Sequence, residues 1–152
     1  MRKLFASTVL FVSVDLMESS APPRSRRGNL RSPQCPSRIL LQHLTSRWGA
    51  LVLLTLQDEK LRYGALRRAV GGISERMLSK TLNALEIDGL VHREVIEMMP
   101  PHVEYSLTPL GAEAVLRLRP LADWIEDNLP RVGAEWARRG VIGPDGSVKL
   151  PE

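Results

Sequence analysis

"GGISERMLSKTLNALEIDGLVHREV", residues 71–95, decides the fold of this chain. Two glycines break the backbone, Ser74 offers a side-chain oxygen to the first free amides of a helix, and Glu75 complements its positive end. At about 100° per residue, Met77, Leu78, Thr81, Leu82 and Leu85 fall on one arc, with Arg76, Ser79, Lys80 and Asn83 on the opposite one. One face packs and the other carries hydrogen-bond donors. Gly89 supplies a left-handed stop after Asp88, and the extended run that follows predicts a strand turning back.

Upstream, "CPSRILLQHLTSRWGALVLLTLQ" predicts two helices. Pro36 suits the first helical position, Ile39, Leu40, His43 and Leu44 share one face, and Trp48 through Leu56 is apolar nearly all round, as a central buried helix requires. "DEKLRYGALRRAV" then reads as a turn and a short helix with Leu66 and Val70 inward. Downstream, "LVHREVIE" and "HVEYSL" predict a hairpin closed by "MMPP", with Val103, Tyr105 and Leu107 alternating against His102, Glu104 and Ser106. Thr108 caps a helix that starts at Pro109 and carries the stripe Leu110, Ala114, Leu118, Leu121, Ile125 and Leu129. Pro120 cannot donate to the carbonyl of Leu116, which predicts a kink near Arg119. The tail "VIGPDGSVKL" holds a Pro-Asp-Gly turn suited to a small hairpin, and no internal repeat is visible.

With 152 residues, 43% of them apolar and 25% charged, the composition is that of one soluble globular domain. The net charge of +4 is not spread evenly. All of it belongs to residues 1–34, and the remainder is neutral but polarised: Lys60, Arg62, Arg67, Arg68, Arg76 and Lys80 face only Glu75, while Asp123, Glu126 and Asp127 cluster later. Residues 18–34, rich in Ser, Pro and Arg, predict a disordered basic arm. Residues 1–16 read either as a short secretory leader or as a misread start ahead of Met17, and the second is favoured because everything downstream reads as cytoplasmic. The apolar run from Leu4 to Val14 is too short to span a membrane as a helix. A single cysteine, Cys35, excludes an internal disulfide framework, and one Cys with three scattered His gives no zinc spacing. His43, His92 and His102 are not placed to pair with a nucleophile, and no Gly-rich phosphate loop occurs. We therefore expect neither an enzyme nor a bound metal or cofactor.

The order of elements predicts a mainly α fold with a two-stranded wing: a winged helix-turn-helix with N- and C-terminal dimerisation helices. The stretches "CPSRILLQHLTSRWGALVLLTL", "LRYGALRRAVGGISERMLSKTLNALEIDGLVHREV" and "PPHVEYSLTPLGAEAV" resemble the HxlR-type bacterial transcriptional regulators, relatives of the MarR group. The resemblance covers about residues 35–128, within a domain drawn as 35–130, leaving 1–34 as an arm and 131–152 as a C-terminal extension. The chain departs from the pattern at Gly49 and Ala50, where Thr and Leu are more usual, and at His102, where the wing usually carries Arg.

The resemblance implies a homodimeric regulator, a repressor, on a palindromic double-stranded operator, with no membrane partner. The helix capped by Ser74 becomes the recognition helix, with Arg76, Ser79, Lys80 and Asn83 toward base edges, Arg62, Arg67 and Arg68 toward phosphate, His102 on the wing, and Ser74 itself among the DNA-binding residues. It also implies that Cys35, beside a helix cap and near Arg38, senses oxidants or electrophiles as a thiolate. Two other classes stay open: a winged-helix module that binds protein, and a small exported protein.

Overall fold

The computed structural model describes residues 27–97, 99–142 and 147. The elements run α1 (Ser37–Thr45), α2 (Arg47–Thr55), β1 (Leu61–Arg62), α3 (Tyr63–Val70), α4 (Glu75–Ile87), β2 (Val91–Ile96), β3 (His102–Leu107) and α5 (Pro109–Arg138). Among the described residues no helix is long and apolar enough to cross a membrane.

Ser46 alone separates the first two helices, accepting from the Gly49 amide at 3.1 Å. The junction is tight: a Cβ on Gly49 would stand 2.0 Å from the carbonyl oxygen of His43. Glycine at this position, where Thr is the commoner residue of the resembled pattern, is what lets α2 start directly against the end of α1. Pro36 occupies the N-cap of α1, one position before the first helical residue expected for it.

Helix α4 begins as its sequence predicts, with the Ser74 hydroxyl accepting from the Met77 amide at 3.2 Å. It ends with Gly89 at φ 72° and with the amides of Gly89 and Leu90 bonded back to Glu86 and Leu85. Leu78, Leu82 and Leu85 bury one side of it against Val52 and Leu53 of α2, Leu66 of α3, and Leu90, Val91, Tyr105 and Val115. Met77, assigned by periodicity to the packed arc, is instead 39% exposed.

The wing is broader than a two-stranded hairpin. β1, two residues long, pairs with β3 through Leu61↔Tyr105 and Arg62↔Glu104, giving an antiparallel sheet ordered β1-β3-β2. Tyr105 turns into the core, its ring 6.4 Å from that of Tyr63.

Helix α5 is seated on the turn that ends α4. Thr108 donates from its hydroxyl to the carbonyl of Gly89 at 2.6 Å and accepts from the Gly111 amide at 3.0 Å. Gly111 lies so close that a Cβ there would stand 1.9 Å from the Leu90 carbonyl oxygen. The helix then continues for 30 residues, through both Pro120 and Pro130, so the break in hydrogen bonding expected near Arg119 does not end it. Its last buried residue is Val115, and the rest extends roughly 35 Å at 1.5 Å per residue. Leu121, Trp124, Ile125 and Leu129 lie exposed along that length. On α1, Ile39, Leu40 and Leu41 are exposed too, while Leu44 packs against the core. The hairpin expected in the tail falls largely outside the described residues.

Candidate nucleic-acid interface

Helices α3 and α4 with the Gly71-Gly72 turn between them form the helix-turn-helix. Both glycines have positive φ, 65° and 69°, a conformation side chains with a Cβ rarely adopt. The turn opens a concavity lined by Gly64, Arg67, Arg68, Gly71, Gly72, Ile73 and Ser74. The free amides at the start of α4 lie at its edge, and their partial positive charge suits an anion.

On α4, Arg76, Ser79, Lys80 and Asn83 are all exposed, opposite the buried leucines. Ser79 is less free than exposure suggests. Tyr63 donates its only hydroxyl proton to the Glu75 carbonyl at 2.9 Å, so Ser79, 3.0 Å from the same oxygen, is the donor of that pair. Tyr63 thus clamps the first turn of α4 onto α3.

Ion pairing trims the positive cluster read from the sequence. Arg67 pairs with Glu75 at 2.5 Å, and Lys60 pairs with Glu104 at 2.9 Å. Arg62 lies 3.9 Å from Glu104, a loose contact. Arg68, Arg76 and Lys80 make no ion pair among the described residues. Arg62 and His102 are not brought to α4 but to the sheet, beside Glu104. There His102 Nε2 meets Glu104 at 3.1 Å and Nδ1 meets the Pro100 carbonyl at 3.2 Å. Glu104 is flanked by Arg62 on one side and Glu94 on the other, as cross-strand neighbours. The Lys60 ammonium and then the His102 ring hold the Glu104 carboxyl below its usual range, and Glu104 in return raises Lys60. A position that carries Arg in the resembled pattern is thus a histidine turned onto a carboxylate.

Cys35 lies just ahead of α1, half-buried. Its sulfur accepts from the Ser37 hydroxyl at 3.0 Å and from the Asn29 amide at 3.2 Å. The Ser37 side chain first, then the Ser37 and Asn29 amides, hold the thiol below its usual range, because each bond favours the thiolate. The chain wraps close here: a Cβ on Gly28 would stand 2.8 Å from that of Ser37 and 3.7 Å from the sulfur.

Of the remaining histidines, His43 donates to Asp88 at 2.6 Å, tying the end of α1 to the end of α4, and His92 is exposed on β2. Among the described residues no group of His, Cys, Asp and Glu is arranged to hold a metal ion. Sequence reasoning missed the Tyr63 clamp, the Glu104 network and the stacking of the Arg47 guanidinium 4.5 Å from the centre of the Trp48 ring.

An uncharacterized HTH-type transcriptional regulator of Escherichia coli (strain K12), YtfH, is 50% identical over 117 residues, 77% of this chain and 93% of that one. A solved protein from Salmonella typhimurium described as a transcriptional regulator, ytfH, is 54% identical and superposes with a TM-score of 0.68, covering 72% of this chain and 97% of that one. The redox regulator HypR in its oxidized form is 37% identical with a TM-score of 0.58, covering 62% of this chain and 97% of that one. The HxlR-like helix-turn-helix family profile matches residues 43–132, from the end of α1 to well into α5, and so spans the buried core, the exposed face of α4 and the wing. This chain belongs to the HxlR-like helix-turn-helix family: it is a transcriptional regulator with a helix-turn-helix DNA-binding domain, and not an enzyme.

Proposed function

We propose that the protein is a sequence-specific repressor, acting in the cytoplasm as a homodimer on a palindromic operator. The observation that carries this reading is the division of α4: Leu78, Leu82 and Leu85 are buried, while Arg76, Lys80 and Asn83 stand exposed, and Arg76 and Lys80 make no ion pair among the described residues. In this reading α4 enters the major groove, Arg76, Lys80 and Asn83 reach base edges, and Ser79 orients the helix through Tyr63. Arg68, the turn amides and Ser74 take phosphate, with Arg67 held in reserve by Glu75. Arg62 and His102 touch the DNA only at the wing, where Glu94 and Glu104 make close approach to phosphate costly. Dimerisation is supported by the exposed apolar side chains of α1 and of α5 beyond Val115, and by a groove between them lined by Leu40, Leu44, Leu90, Leu110 and Ala114.

Selection of bound genomic fragments followed by a salt titration tests the core of this reading. A specific palindromic site should emerge whose log K falls steeply with log salt concentration and survives competitor DNA. No preference among fragments, or a flat salt dependence, would leave a protein-binding winged helix instead. Repression is read by transcription from the recovered site, which should drop when the protein is added.

Cys35 acts in this reading as an oxidant or electrophile sensor. Its support is the pair of hydrogen bonds that favour the thiolate, together with likeness to HypR, a redox regulator. With no second cysteine in the chain, the reversible oxidation products are a sulfenic acid, a mixed disulfide with a small thiol or a bridge between two protomers. Diamide should lower operator affinity of the wild type and leave Cys35→Ser unaffected. An equal response in both proteins makes Cys35 structural.

A further inference from the structure

Between the end of α1, the start of α2 and one flank of α4 lies a half-open cavity of about 250 Å³. Its walls are mostly apolar, with Trp48, Met77, Ala84 and Leu85 lining it, and its polar groups are Gln42, His43, Ser46, Thr81 and Lys80. The His43 ring is already committed to Asp88 at 2.6 Å, so it is a fixed wall rather than a free partner. Lys80 is the one unpaired charge among the lining residues. Its place on α4 is at the seam, between the DNA-facing residues Arg76 and Asn83 and the cavity-facing residues Met77 and Ala84. The exposure of Met77, unexplained by its neighbours in the packed arc, follows from this: it faces an opening, not a core.

We propose that this cavity binds a small, flat, apolar molecule bearing one anionic group, and that the bound anion draws Lys80 off the DNA-reading face. The volume falls just below the roughly 300–1,000 Å³ usual for ligand sites, which limits the occupant to one or two fused rings. The Trp48 ring and the Met77 thioether offer polarisable contacts to such a ring. Lys80 offers the charge-assisted hydrogen bond that fixes its orientation, and Gln42 and Thr81 supply the secondary donors, the Ser46 hydroxyl being committed to the His43 carbonyl. Ligand and operator then compete for one ammonium. The competition rests on the reading of α4 as the recognition helix; the binding does not.

Titration calorimetry of the full chain with 2-naphthoate and its neutral amide, without DNA, tests the cavity. The acid should bind at least tenfold more tightly than the amide. Lys80→Gln should bring acid and amide level. Ala84→Leu, which puts a branched side chain into the cavity without touching the exposed face of α4, should abolish binding of both. Circular dichroism checks that each variant folds. Absence of binding at millimolar acid, an amide as good as the acid, or full binding by folded Ala84→Leu overturns the site. With an operator in hand, saturating acid should weaken wild-type binding at least tenfold and leave Ala84→Leu unchanged; an unaltered wild type overturns the competition. If no operator exists, the DNA-reading role fails while calorimetry still decides the cavity.

Discussion

Replacing Ile125 by Asp should dissociate the proposed dimer and leave the subunit folded. Leu121, Ile125 and Leu129 are 50%, 52% and 52% exposed and fall on one side of α5, with Ile125 ten residues past Val115. Complete burial of an isoleucine is worth about 1.5 to 3 kcal/mol, so covering the exposed half contributes about 1 kcal/mol. A two-fold interface uses the same residue from both subunits, which doubles this to about 2 kcal/mol, and a buried unpaired carboxylate adds a further penalty. At 1.4 kcal/mol per tenfold, the dimer Kd should rise by at least roughly 30-fold. Sedimentation equilibrium over a concentration series reads that change, and a thermal melt at a protein concentration where both proteins are monomeric should show unchanged unfolding. Operator affinity should fall along with dimerisation, because a lone half-site module reads too few base pairs. A dimer constant equal to wild type would refute the reasoning, and the exposed stripe would need another occupant.

Arg76→Ala and Lys80→Ala should each cost about 1 to 3 kcal/mol of operator binding and relax preference at particular base pairs, whereas Arg68→Ala should weaken all sequences alike and reduce the salt slope; equal sequence-blind losses at all three would make α4 a phosphate-binding face. Gly111→Ala forces a methyl into the Leu90 carbonyl and should destabilise the fold by about 3 kcal/mol or more, read as a drop in melting temperature; a melt within a degree of wild type would count against the close seat of α5. The pH dependence of stability follows from Glu104, whose carboxyl is held low by Lys60 and then His102. A depressed carboxyl contributes stability that is present above its unfolded value, about 4.3, and is lost as pH falls through the lower folded value. The melting temperature of the wild type should therefore fall more steeply than that of Glu104→Gln as the pH drops below about 4.3. Parallel curves would mean that the wing network adds nothing to stability.

How far the molecule was legible in its sequence depended on how far apart the interacting residues were. Ser74, Gly89, Thr108 and Pro109 mark helix ends through bonds that reach only a few residues, and all four stand where the sequence puts them. The burial of Leu78, Leu82 and Leu85 followed from period alone. Strand β1 did not, because two residues cannot display an alternation; it exists because Leu61 and Arg62 lie beside Tyr105 and Glu104 once the hairpin has formed. Met77 failed for a related reason: period fixes its angle on α4 but not what lies opposite, and opposite it is an opening rather than a side chain.

The charge pattern was the hardest part to read, since charges are cancelled by partners that the chain brings from afar. Arg67 and Glu75 are 8 residues apart and His43 and Asp88 are 45 apart, so neither pairing has a sequence signature. Counting cations over residues 60–80 therefore overstated the field that a phosphate would meet: Lys60 and Arg67 are spoken for, and Arg62 and His102 share a carboxylate with Lys60. What survives is narrower and more directional. Arg68 stands beside the turn amides and Arg76 at the start of α4, while Lys80 stands between the exposed polar side of α4 and the cavity. An anion arriving at the turn meets Arg68 together with backbone dipoles that are fixed in place. An anion arriving at the middle of α4 meets a flexible side chain with a second place to go. If α4 reads DNA and the cavity takes an anion, as proposed, the turn between α3 and α4 gives a contact region built on fixed dipoles and the middle of α4 one that an effector would subtract, which singles out Lys80 rather than Arg68 as the residue for regulation.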